Sequence, residues 1–175
     1  MIGSAGVAEY SLGGGASTET MALARNIGSL LAKRGVVVVT GGKSGIMEAA
    51  AEGAKSSGGT TVGVVSGGKR FTSNAFTDIE IPTGMSAPGY DELLLVLMCD
   101  ALVVLGGGAG TLEEIAIAYR NGKPVILLEG VEGWGTDLIS REYLDFRQSI
   151  KFGKAATPVE AVEKVISAVQ GKNGI

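Results

Sequence analysis

Histidine is absent from the 175-residue chain, and cysteine occurs once, at Cys99. Without histidine the commonest metal ligand and the commonest general base are missing, which excludes a typical zinc site and a Ser-His-Asp triad. A lone cysteine has no partner within the chain, so no internal disulfide ties the fold. Charge of one sign is also lacking: 15 basic residues stand against 18 acidic ones, for a net charge of −3, and no basic run exceeds two residues. That balance excludes the broad positive footprint of a nucleic-acid or anionic-membrane binder. No apolar run approaches the roughly 20 residues of a membrane span. Met1-Ile2-Gly3-Ser4-Ala5-Gly6 shows no charged segment leading into a secretory-type apolar core. A soluble cytoplasmic protein is the expectation.

What is abundant is glycine, with 29 residues against four prolines. This is about 17% of the chain against a usual share of roughly 7%, and it points to tight turns and close backbone approach. Hydrophobic residues at 45% and charged residues at 19% are enough to build a core. One domain covering residues 1–175 is expected from the length and the lack of any linker.

Short β-branched runs alternate with segments of helical period, the pattern of a doubly wound, Rossmann-like parallel sheet in a three-layer α/β/α arrangement. Residues 36–40, 61–65, 101–105 and 125–129 are nearly continuous apolar strands, as expected where helices cover both faces. Residues 79–81 form a weaker edge strand, and residues 1–3 the first strand. Helices are expected at 18–34, 45–56, 90–98, 111–121 and 157–170. The first stops at Gly35 and the fourth at Gly122. The last opens on Thr157-Pro158-Val159-Glu160, which places a capping threonine, a first-turn proline and a capping glutamate in order. The third helix, carrying Leu93 to Met98, is apolar on every side, which predicts burial between the sheet and a partner subunit, with a fully buried core helix in a monomer as the alternative.

Ligands of open parallel sheets bind beyond the carboxyl ends of the strands, and three glycine-rich loops fall there. One is Gly41-Gly42-Lys43-Ser44-Gly45, the second Gly106-Gly107-Gly108-Ala109-Gly110-Thr111, and the third, residues 4–17, carries Gly13-Gly14-Gly15. Glycine lets main-chain N–H groups approach an anion, and the helix that follows adds its own free donors and partial positive charge. A phosphate cradle at Gly41, Gly42, Lys43, Ser44, Gly45, Gly107, Gly108, Ala109, Gly110 and Thr111 is therefore expected; tight turns that bind nothing are the alternative. The Gly63 to Lys69 stretch has P-loop spacing, but Arg70 replaces the magnesium-holding Ser/Thr and Gly63 falls inside a strand. No dinucleotide fingerprint follows the first strand, and the second ends in Thr40-Gly41 rather than an acidic residue, so neither NAD nor a metal is expected.

Gly106 to Glu114, together with Gly41-Gly42-Lys43-Ser44-Gly45-Ile46-Met47-Glu48, resembles the Lonely Guy family and its relatives. The family patterns are P-G-G-x-G-T-x-x-E and a glycine run followed by G-[LVI]-M. Thr83-Gly84-Met85 and Gly122-Lys123-Pro124-Val125-Ile126 extend the resemblance over most of the chain. Those relatives include the molybdenum cofactor carrier proteins and proteins once labelled lysine decarboxylases. The resemblance implies a Rossmann-like sheet, a homo-oligomer (dimer or tetramer) and a phosphate-bearing ligand. In catalytic relatives a glutamate, here Glu114, and an arginine on the preceding helix cleave the N-glycosidic bond of a nucleoside 5′-monophosphate. Taken from the sequence alone, Thr111-Leu112-Glu113-Glu114 also reads as a capping box in which Glu114 only satisfies a backbone donor. The stretch from Ala87 to Cys99 holds no basic residue, and Gly106 stands where the family motif has proline. Both departures argue against hydrolysis and leave the cradle intact. Binding or carriage of a phosphorylated nucleotide or pterin-type ligand is the leading expectation; a phosphoribohydrolase using Glu114 and an oligomeric scaffold without a ligand are the alternatives. Lys69 and Arg70 read as a solvated loop, and Trp134 as loop packing.

Overall fold

The computed structural model describes residues 4–8 and 17–172. Seven parallel strands form one sheet: β1 (Ser4–Ala8), β2 (Val37–Thr40), β3 (Thr61–Val65), β4 (Ile79–Pro82), β5 (Ala101–Gly107), β6 (Val125–Gly133) and β7 (Gly153–Ala155), in the order β4-β3-β2-β1-β5-β6-β7. The chain winds outward from β1 to one edge, then returns to pair β5 with β1, in register from Ala5 opposite Ala101 to Ala8 opposite Val104. The strand order thus reverses between β1 and β5, where open α/β sheets leave a crevice.

Six helices cover the two faces: α1 (Thr18–Lys33), α2 (Ile46–Ser56), α3 (Tyr90–Met98), α4 (Ala109–Arg120), the short α5 (Trp134–Asp137) and α6 (Pro158–Lys172). Alternation along β5 divides the core. Ala101, Val103 and Leu105 pack with Ile27, Ala50 and Val162 of α1, α2 and α6. Leu102 and Val104 pack with Leu95, Ile115 and Tyr119 of α3 and α4. Each buried strand therefore feeds two cores, which is why its sequence is apolar throughout rather than alternating. No helix of the described residues is long and apolar enough to cross a membrane.

The ends of α1 and α6 follow local chemistry. Ser17 Oγ accepts the Thr20 N–H at 3.1 Å, and Thr157 Oγ1 accepts that of Glu160 at 3.2 Å. Gly35 and Gly122 close α1 and α4 at φ +72° and +62°, in the region where glycine carries no steric cost.

Several expectations are corrected. The described first strand is Ser4–Ala8 rather than residues 1–3, which lie outside the described residues, as does the Gly13-Gly14-Gly15 loop. Gly106 and Gly107 belong to β5, and Ala109, Gly110 and Thr111 to the first turn of α4, which starts two residues earlier than expected. The cause is backbone pairing: after a register shift beyond Leu105, Gly107 pairs with Gly133 of the extended β6, so the turn into α4 is compressed to Gly108. Neither a fully buried helix nor complete cover by its own chain describes α3. Leu95 and Val96 face the sheet, whereas Tyr90, Leu93, Leu97 and Met98 are each more than a third exposed. Trp134, expected to pack its loop, is 39% exposed; the close approach there belongs to Gly135, which lies against Gly106 and Val104.

Candidate functional site

A cleft of about 240 Å3 opens beyond the carboxyl ends of β2 and β3, between the amino ends of α2, α3 and α4. Gly41, Lys43, Ser44, Gly110 and Glu114 line it, so the two glycine loops and the glutamate singled out in the sequence meet there. The other expected residues take different places. Gly42, at φ +68°, is buried where a side chain would strike Val65 and Ser73, and its N–H donates to Thr40 Oγ1 at 3.1 Å. Gly45 and Gly108 are the N-cap residues of α2 and α4, and Ala109 is exposed on the first turn of α4. Gly107 leaves room for the side chain of Thr111, which is 1% exposed and turned into the protein. Lys69 and Arg70 are exposed and lie away from this cleft.

Both α2 and α4 begin without a side-chain cap. Each helix adds partial positive charge at the cleft. By contrast α3 is closed by its own residue, since Glu92 Oε2 accepts the Gly89 N–H at 3.1 Å. Lys43 reaches Asp91 at 3.7 Å with its own side chain about half exposed. The pair is longer than a hydrogen bond and its ammonium end lies in solvent, so Lys43 can also reach an anion at the mouth of the cleft.

Glu114 is not a helix cap. With α4 beginning at Ala109, it lies in the second turn, 6% exposed, and its Oε2 has no hydrogen-bond partner. Burial pushes its carboxyl well above the usual carboxylate range, reinforced by the charges of Glu92, Asp91 and Glu113 and opposed by Lys43. Glu92 is also raised, by burial first and then by the hydrogen bond it shares with Asp91. Cys99 lies at the end of α3 with its thiol pushed up to about 12 by burial, which leaves it inert as a nucleophile.

The sequence reading missed Asp91 and Glu92. The signal is two acids in the first turn of a helix after Gly89, in a stretch whose other features are an apolar run and no basic residue. Gly106, in place of the motif's proline, adopts φ +61° against the carbonyl of Glu132. Proline is fixed near φ −65°, so the backbone here follows a path that proline does not permit.

The strand order, the reversal beside β1 and the cleft at the strand ends define a Rossmann-like α/β protein with a crevice where open parallel sheets bind their ligands. The chain belongs to the SLOG cluster4 family, whose profile matches residues 2–162. Among solved structures it is similar to the molybdenum cofactor carrier protein from Chlamydomonas reinhardtii, with a TM-score of 0.81 and 29% identity over 97% of this chain and 99% of the other. It is also similar to the molybdenum cofactor binding protein from Rippkaea orientalis, with a TM-score of 0.76 and 31% identity over 95% and 94%. A cytokinin riboside 5′-monophosphate phosphoribohydrolase from Mycobacterium tuberculosis is 28% identical over 151 residues, covering 79% of this chain and 81% of that protein. The family expectation is met.

Proposed function

We propose that this protein binds and carries a phosphorylated nucleotide or pterin-type cofactor in the cleft between α2, α3 and α4, without turning it over. The observation that carries this reading is the convergence of two uncapped helix amino ends with a weakly held lysine at one small cleft. Donors and partial charges of that kind suit a phosphate. The likeness to carrier and binding proteins for the molybdenum cofactor supports the cargo class. The absence of any basic residue from Ala87 to Cys99 supports binding over cleavage.

Hydrolysis is the second reading, favoured by one observation: Glu114 lies buried on the cleft with its carboxyl pushed well above the usual range, which suits it to donate a proton to a leaving base. The two readings separate in one experiment. The purified chain is incubated with AMP and a panel of other nucleoside monophosphates, and products are followed by chromatography beside thermal melting. Carriage predicts unchanged nucleotide and a rise in stability, about 2.7 kcal/mol at a hundred times the dissociation constant. Free base and ribose 5-phosphate, lost in Glu114→Ala, overturn it in favour of the hydrolase.

The exposed apolar side of α3, with Tyr90, Leu93, Leu97 and Met98, supports a homo-oligomer. Light scattering coupled to size exclusion should give a dimer or tetramer mass. Leu97→Glu should shift it toward monomer.

A further inference from the structure

The inner wall of the cleft has the wrong sign for the phosphate that its rim suits. Asp91 is 8% exposed and Glu114 6%, and Glu92 stands beside them on the same lining. Among the described residues that line the cleft, Lys43, at the exposed mouth, is the one cation facing the three acids. An anion seated deep would face the Asp91 carboxylate and the acceptor oxygens of Glu92 and Glu114 in a poorly solvated space, where repulsion costs more than in water. A buried polar atom without a partner is also costly, on a scale that natural proteins rarely leave uncompensated. Glu114 Oε2 is such an atom, and its side chain lines the cleft. The lining thus carries a buried acceptor to which no described group donates.

Which donors fit follows from the set of acceptors. No three His, Cys, Asp or Glu side chains among the described residues are grouped so as to hold a metal ion. A carboxylate accepts two parallel N–H bonds from a planar donor pair, the geometry that makes guanidinium and carboxylate partners. The same pair of donors, a ring N–H beside an exocyclic amino group, occurs on the aminopyrimidinone edge shared by guanine and pterins. Val64, Met47 and Leu95 line the cleft beside the acids and offer apolar contact to a flat ring.

We propose that Asp91, Glu92 and Glu114 form a recognition wall for the aminopyrimidinone edge of a guanine-like or pterin-like ring, with the ligand's phosphate held at the rim by Lys43 and the amino ends of α2 and α4. This rests on the carrier reading above and narrows its ligand class. A carboxyl of Glu114 or Glu92 that keeps its proton can donate to the ring carbonyl while accepting from the ring N–H. Asp91, its neighbour, takes the amino group.

Calorimetric titration of the full chain with GMP, IMP, AMP, ribose 5-phosphate and unphosphorylated 6-hydroxymethylpterin tests this. GMP and IMP differ only by the 2-amino group, so GMP should bind more tightly by about tenfold or more, the value of one well-placed two-point contact. Asp91→Ala, which removes the acceptor for the amino group, should shrink that ratio toward one, and Glu114→Ala, which removes the partner of the ring N–H and carbonyl, should weaken GMP and IMP alike; each variant is first shown to be folded by circular dichroism. Two variants are used so that a folding defect in one leaves the other to decide. Equal binding of all the nucleotides and ribose 5-phosphate overturns the ring wall and leaves the phosphate reading standing. Binding of the free pterin with no binding of ribose 5-phosphate overturns the phosphate reading and leaves the wall standing. AMP tighter than GMP, or no binding by any of the five compounds, overturns the wall.

Discussion

Replacing Gly53 by alanine should destabilise the protein by about 3 kcal/mol, the upper part of the usual range for overpacking a core. Helix propensity alone argues the opposite, since alanine is favoured over glycine inside a helix by roughly 1 kcal/mol. The structure decides which effect wins. A methyl at Gly53 would run into the backbone carbonyl of Arg25 on α1, and one at Gly28 into that of Ala50 on α2. The two helices thus touch backbone to backbone at paired glycines, and neither carbonyl can move without disturbing its own helix. For a chain of this size the loss corresponds to roughly 6–12 °C in melting temperature. Gly171→Ala is the control, because nothing lies within 4 Å of a methyl placed there on α6. A melt in which Gly53→Ala matches or exceeds the parent would show that α1 and α2 are not in backbone contact.

The second large effect concerns Glu114 and pH. Its carboxyl is raised in the folded state, chiefly by burial, so folding favours the protonated form. Below the ordinary carboxylate range both folded and unfolded chains carry the proton, and burial of a neutral group is tolerated. As pH climbs through and beyond that range the unfolded chain releases its proton first, so the folded state loses ground until its own carboxyl ionises. Glu114→Gln keeps the shape and removes the titration. The variant should therefore gain on the parent as pH rises from 4.5 to 8, and the gap should close again in acid. Asp78, Glu80, Glu142 and Glu160 are shifted the other way by their hydrogen bonds and stabilise above the ordinary range. For that reason the test is the difference in melting temperature between variant and parent at each pH, not the parent's own profile. Asp91, Glu92, Glu113 and Lys43 also act on Glu114, and they are present in both proteins. A difference that does not change with pH would mean that Glu114 titrates as an ordinary surface acid.

Much of the fold was written in local sequence. The bounds of α3, β3 and the Thr157 start of α6 follow from side-chain type over a few residues, because period, capping and turn chemistry act within one or two turns. The two glycine loops and Glu114 were likewise legible as candidates, since glycine before a helix has few other uses at the end of a parallel strand. Sequence could not say whether Thr111 caps α4 or lies inside it. Thr-x-x-Glu fits both, and the choice was made by β6, distant in sequence, which extends to Gly133 and holds Gly107 in the sheet. Nor could it pair Gly28 with the α2 backbone or Gly53 with that of α1, because which glycines face each other depends on how two helices cross.

The acidic wall shows the division most clearly. Asp91 and Glu92 on α3 and Glu114 on α4 are ordinary first-turn and mid-helix acids when read in order. Bringing α3 from the β4 edge to pack on α4 places them on one cleft, mostly buried. Sequence by itself determined a parallel α/β protein with no histidine chemistry and glycine-lined helix starts. Only the tertiary structure decided that its cleft is cationic at the rim and acidic within, because burial and proximity, which set a carboxyl's charge and its need for a partner, are properties of the packed chain.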